Sequence, residues 1–336
     1  MATGGKEQVG YRLDNVGTLT LRGTYMYPDY ISIVICRDKI VVIDDNAYKV
    51  QIFGLDNGKF LATTDRLESV PRDMCLMDAM TICVLHGNGL IKMMSIDSTD
   101  MSHFFTTTRS LQLQGVMDWY DGVVRLKDNL VVSGVKQGTI YWCIVSLDDG
   151  HVDTIHQICK GDLWCYVTTK DNIIYISCRA GDKSHDNTGV YGFDILNPSQ
   201  CKYTYKHQHL QFPTSVIINE DGNIFVCNNG FLFDLFPYDS CIHQLTASCQ
   251  LVAIFTQGIP RYPEAMFWDN GHLYVACWGS NDITVFQPVY QGSHKASEVE
   301  VSDERKQPVI EETAIQIGRV VCCATDLQAE IGQPIE

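Results

Sequence analysis

Short apolar runs recur along the chain, each set off by Asp, Asn or Gly. The clearest are Lys39–Asp44, Thr81–Leu85, Asn129–Gly134, Asn172–Cys178, Asn223–Asn228 and His272–Cys277. Aligning Val42, Cys83, Val132, Ile176, Val226 and Val275 gives successive spacings of 41, 49, 44, 50 and 49 residues. Each run is followed by a second β-rich segment: Lys49–Phe53, Leu90–Met94, Thr139–Ile144, Val190–Phe193, Phe231–Leu235 and Asp282–Phe286. Most units then show a second turn signal and room for a fourth strand, and a first strand precedes the run, often behind a proline such as Pro71, Pro213 or Pro263. Four short strands in a period of about 45 residues is the pattern of a propeller blade, a unit that buries its faces only against its neighbours. No stretch shows the 3.6-residue periodicity of an amphipathic helix, which a parallel α/β fold would need between strands.

The pattern therefore predicts an all-β chain folded as a six-bladed β-propeller. The sixth unit lacks a fourth strand of its own, while Val16–Arg22 is an alternating strand without a partner. Pairing the two predicts a ring closed by an N-terminal strand completing the last blade, which removes an open seam. The predicted organisation is an N-terminal arm over 1–15, the propeller over 16–290, a flexible acidic linker over 291–312 and a C-terminal segment of unassigned order over 313–336.

Composition narrows the setting. Of 336 residues, 45% are hydrophobic and 19% charged, which suits a globular core and not a disordered chain. The net charge of −15, from 40 acidic and 25 basic residues, argues against broad binding to phosphate backbones or anionic membranes. No apolar run reaches the roughly 18 residues of a membrane span, and no apolar leader follows Met1. The fourteen cysteines are dispersed, many within apolar runs, and none forms a CxxC pair, so they read as reduced thiols of a cytoplasmic protein.

Two segments carry a family likeness. Tyr262–Phe286 runs from Pro263 through an Asp269-Asn270-Gly271 turn to an apolar strand, then Asn281 and a closing apolar triplet, and Phe212–Phe236 is similar, with Pro213, Asp221-Gly222 and Asn228. This pattern resembles the NHL repeat of the C-terminal propellers of tripartite-motif proteins, many of them invertebrate. The resemblance implies a six-bladed propeller that binds a partner. The chain has no RING or B-box spacing of Cys and His, so it supplies no ligase module of its own, and the family's aspartate column reads Asp44, Leu85, Gly134, Cys178, Asn228 and Cys277.

The loops leading into the first strand of each blade occupy equivalent places and so share one face of the ring. They carry Tyr30, Arg72, Trp119, Tyr120, Trp164, Tyr166, Arg261, Tyr262 and Glu264. Trp, Tyr and Arg dominate protein interfaces because they bury much area at low entropic cost. The residues thus favour a non-catalytic protein-binding scaffold with no cofactor. The main alternative is a calcium-dependent lactonase or hydrolase of the gluconolactonase-like class, whose ion would need convergent oxygens from Asp73, Asp118, Asn219 and Glu264. A third reading, RNA binding through Arg72 and Arg261, must contend with the acidic residues of the same loops. His207 and His209 alternate and could share a strand face, but two ligands make no metal site.

Overall fold

The computed structural model describes residues 11–22, 28–96, 104–113, 115–160, 164–179, 187–229 and 240–290. They form six antiparallel four-stranded sheets and no helix. Five blades are continuous in sequence, spanning 30–63, 71–112, 119–160, 165–205 and 213–255; the sixth takes three strands from 263–290 and its outer strand from Tyr11–Thr20. The innermost strands are Tyr30–Cys36, Pro71–Asp78, Trp119–Leu126, Cys165–Lys170, Pro213–Ile218 and Pro263–Asp269. Each touches the innermost strand of the next blade, and the last touches the first, so they enclose one axis.

The burial gradient across a blade explains the sequence pattern. The second strand of blade 1, Lys39–Asp44, is buried throughout, whereas the outer strand Val152–Lys160 of blade 3 is largely solvated. Successive side chains of a strand point to opposite faces. In the second strand of blade 2, Ile82 and Val84 accordingly pack toward blade 1, while Cys83 and Leu85 pack toward blade 3. Both faces of the inner strands are covered, so these strands read as apolar runs without polar alternation. Six apolar clusters result, one between each pair of neighbouring blades. Full burial of each Val, Ile or Leu contributes about 1.5–3 kcal/mol.

The predicted closure is present. The N-terminal strand pairs with Asp282–Tyr290 from Tyr11↔Tyr290 to Thr20↔Asp282, beginning five residues before the expected Val16, and it bulges between Asn15 and Gly17. Leu13 packs in the cluster between blades 5 and 6, and Leu21 in the cluster between blades 6 and 1. Blade 5 departs from expectation. Its third strand is Cys241–Leu245, and the expected segment 231–235 lies outside the described residues. A long insertion between its second and third strands displaces the pattern by about ten residues.

The propeller belongs to one compact unit, Met1–Ser293; the second, His294–Glu336, lies outside the described residues, as do the predicted linker and C-terminal segment. Among the described residues no helix is long and apolar enough to cross a membrane. The twelve described cysteines are free thiols, ten of them buried.

Candidate functional site

The lead-in face is built by one repeated backbone device. In five of the six innermost strands the pairing register slips at the second or third residue: between Tyr30 and Ser32, Pro71 and Asp73, Tyr120 and Gly122, Pro213 and Ser215, and Pro263 and Ala265. A bulge inserts a residue and re-aims its side chain. The inserted residues are Ile31, Arg72, Asp121, Thr214 and Glu264; blade 4 has no slip, and Tyr166 holds the matching place. Arg72, Asp121, Tyr166 and Glu264 converge at the axis. The Arg72 Nη2 lies 3.5 Å from Asp121 Oδ1, its Nη1 lies 3.9 Å from Asp45 Oδ2, and Glu264 Oε2 accepts a 2.6 Å hydrogen bond from Asn229 Nδ2.

Burial governs the electrostatics of this cluster. It pushes the Glu264 carboxyl up to about 8, with Asp29 adding to the rise and Asn229, Arg72 and Arg179 opposing it. Asp29 rises to about 7 through burial and then through Asp45 and Asp44. Asp73 also rises to about 7 through burial, against three hydrogen bonds that it accepts. Asp44, Asp45 and Asp121 are raised by burial as well. Burial works against the Arg72 charge, yet Tyr166, Asp121, Asp45 and Glu264 together hold its pKa above the ordinary arginine value.

A second column ties each lead-in loop to its blade. The paired register places Asp44, His86, Gly134, Cys178, Asn228 and Cys277 at equivalent positions. This corrects the sequence alignment, in which Leu85 stood where His86 belongs: Leu85 pairs with Asp73, beyond the bulge, which the sequence does not announce. The polar members serve the backbone. Asp44 accepts from the Asp29 and Ala47 amides, Asn228 from those of Gln211 and Phe212, and His86 Nδ1 lies 3.0 Å from the Ser69 carbonyl.

The residue just after this column was missed by sequence reasoning. In four blades it is Asp45, Arg179, Asn229 or Trp278, and its amide donates to the carbonyl of Asp29, Trp164, Phe212 or Tyr262. That backbone bond brings its side chain onto the lead-in face. The signal was present, because all four directly follow the repeat column.

Of the nine residues expected on a binding rim, Trp119, at 40% exposure, and Arg261 are exposed. Trp164, Tyr262 and Arg72 are partly buried, whereas Tyr30, Tyr120, Tyr166 and Glu264 are buried. Tyr30 and Tyr120 are corrected from rim to core: they pack between blades 6 and 1 and between blades 2 and 3, respectively. The Trp119 ring lies over the Arg72 guanidinium at 5.5 Å and fills the space above Gly87, where a Cβ would meet it at 2.7 Å. Arg179 lies 5.4 Å from the centre of the Trp164 ring. Trp278, 44% exposed, meets Tyr262 edge-on at 6.0 Å, and both line a cleft of about 560 Å³ with Arg261 and Asn46. Tyr262 itself takes a φ of 56°, uncommon for a bulky side chain and a sign of a constrained loop.

The four oxygens of the calcium reading do not share a site. Asn219 closes the turn at the opposite end of its strand, where its Oδ1 accepts from Asn223. Asp118 accepts from the Gln137 amide on the surface. Asp73 is committed to Ser32, the Met74 amide and the Val123 amide, bridging three neighbouring innermost strands. Only Glu264 faces the lead-in mouth of the axis. His207 and His209 do find a third histidine, His243, whose ring lies 5.5 Å from that of His207, but its nitrogens are engaged by Tyr205 and Cys241. Among the described residues no group of three or more His, Cys, Asp or Glu is placed to hold a metal.

No protein-family model and no curated protein matches the chain. Among solved structures it is similar to the crystal structure of BamB from Moraxella catarrhalis, with 13% identity over 83% of this chain and 79% of that one and a TM-score of 0.46. It is also similar to the computationally designed Ika8 protein, with 14% identity over 77% of this chain and 70% of that one and a TM-score of 0.47. The six-bladed ring stands; the NHL likeness of two blades finds no support in these comparisons.

Proposed function

We propose that the protein is a non-catalytic scaffold that holds a protein partner on its lead-in face. One observation carries this reading. Among the described residues, the two exposed tryptophans, Trp119 and Trp278, both stand on that face, on either side of the axis. An exposed indole is costly to leave in water and is a typical interface anchor. Arg261 and the partly buried Trp164 and Tyr262 extend the same surface. The NHL resemblance agrees with this role without defining the partner. The calcium-hydrolase alternative has no observation in its favour once Asn219 stands at the far end of the ring.

The test places a photo-cross-linking side chain at position 119, at 278 and, as a control, at Leu196, which is 82% exposed at a hairpin tip on the opposite face. The expected result is one protein captured through 119 and 278 and not through 196, with capture lost when the other tryptophan is changed to Ala. Equal capture from both faces would overturn the reading.

A further inference from the structure

Among the described residues, the lead-in mouth of the axis carries more acidic groups than cations. Among the described residues, five acidic side chains, Asp29, Asp44, Asp45, Asp121 and Glu264, are placed with Arg72 and Arg179 around it. Acidic residues alone would be a solvated cluster. Here, however, acceptor atoms stand in buried positions with nothing donating to them. Asp121 is 2% exposed, and its Oδ1 accepts no hydrogen bond, having only the 3.5 Å ion pair with Arg72. The buried Oδ1 atoms of Asp29 and Asp45 also accept none. Glu264 is 8% exposed, and its Oε2 is held by Asn229. Leaving such groups unmatched costs about 1–3 kcal/mol each, more where the group is charged, so a donor-rich cation arriving there is favoured by more than Coulomb attraction.

The surroundings suit the same guest. Trp278 and Tyr262 form an aromatic corner, and the faces of such rings attract cations. The adjoining cleft of about 560 Å³ has room for a segment of chain, and Asn46, beside Asp45, lines it. Asp29 connects the two parts, since its backbone bridges to Trp278 and its carboxyl interacts with the Trp278 side chain while lying near Asp45 and Asp44.

We infer that this mouth receives a basic side chain, arginine above all, from the protein partner, with the flanking chain lying in the Trp278 and Tyr262 cleft. The inference rests on the scaffold reading and names the chemistry of its partner. A guanidinium fits better than an ammonium because its fork of five donors can serve several oxygens held by different blades at once. The overall charge of −15 steers such a segment toward the ring.

The experiment titrates the whole chain with acetyl-Gly-Arg-Gly amide and follows tryptophan fluorescence and thermal unfolding. The controls are the citrulline tripeptide, equal in shape but uncharged, and free spermidine. At pH 9, where Glu264 is ionised, the expected result is saturable binding of the arginine peptide at least tenfold tighter than the citrulline peptide, weakened about tenfold by Glu264→Gln. Tyr262→Ala, which leaves the buried cluster untouched, should weaken it several-fold, so a folding defect in one variant does not decide the outcome. Equal binding of the two peptides would overturn the inference, and spermidine binding more tightly than the arginine peptide would overturn the assignment to a protein segment. Cross-linking through 119 and 278 with no preference for arginine would sink this inference alone and leave the scaffold reading intact.

Discussion

The two ends of the central axis are made by the same six strands and differ in nearly everything else. At the lead-in end, register slips in five strands turn Arg72, Asp121 and Glu264, beside Tyr166, toward a shared centre. Below them the register is regular again except in blade 2, which slips once more between Leu76 and Asp78. There the strands enclose a channel of about 300 Å³ lined by apolar residues such as Val34, Val123, Val216 and Met266, by the hydroxyls of Ser32, Thr168 and Ser215, and by Asp73, Arg125 and Tyr166. The lesson is that one extra residue in five of six strands is enough to gather most of the charge of the axis at one mouth without any change of fold. The far part of the axis serves packing, and the bulged part is where chemistry is placed.

The sharpest way to break this contrast is at the junction. Gly122 directly follows the bulged Asp121, and a Cβ there would lie 2.6 Å from Ser133 Oγ, 2.9 Å from the Cys165 carbonyl and 3.0 Å from the Val167 amide. Gly122→Val should force blades 3 and 4 apart and cost about 3 kcal/mol. Urea denaturation reads it; an unchanged midpoint would mean that the close approach of these strands is not required.

Next in size is the dependence of stability on pH. Glu264 has a pKa of about 8 in the folded chain against 4.5 ordinarily, so the folded state holds its proton more tightly than the unfolded state. Its contribution is fully present below pH 4.5 and is lost as pH rises through 8, and Asp29 and Asp73 act in the same direction up to about 7. His243 works oppositely. Burial and its histidine neighbours lower it to about 3 from 6.5, so its contribution is present above pH 6.5 and is lost as pH falls toward 3. Between pH 6.5 and 8 the carboxylates dominate, and the urea midpoint should fall; Glu264→Gln should flatten that slope while leaving the acid limb unchanged. A variant with the slope of the parent would remove Glu264 from the account.

The smallest effect concerns the loop ties. Asn228→Ala removes the acceptor for the Gln211 and Phe212 amides and should cost about 1–2 kcal/mol. Hydrogen exchange would show whether the loss stays local. Faster exchange at those two amides alone is expected, and faster exchange throughout blade 5 would show that the tie holds the blade and not only its loop.

The fold was legible in the sequence because burial on both faces writes itself as repeated apolar runs. Thr81–Leu85 and His272–Cys277 therefore announce second strands without any knowledge of their neighbours. The orphan strand at Val16–Arg22 announced the closure for a related reason, since an alternating strand needs an edge to pair with. The site was legible only in part. Trp119 and Arg261 stand exposed as expected, yet Tyr30 and Tyr120 belong to the core, because aromatic residues at lead-in positions look alike whether they face water or the next blade. Leu85 stood in the place of His86 because the apolar run ends at Leu85, whereas the strand continues through the buried His86. Blade 5 hid its third strand behind an insertion.

The clasp formed by Tyr11–Thr20 has a consequence for the timing of synthesis. Thr20 bonds to Asp282, 262 positions later in the chain. At translation rates of about 5–20 residues per second, the first strand waits roughly 13–50 s for its partner to be made. During that interval the nascent chain carries an unpaired edge ahead of the five blades that stack behind it. The ring is thus an object that the ribosome can extend but cannot finish, and the last blade becomes whole only when the two ends of the propeller meet.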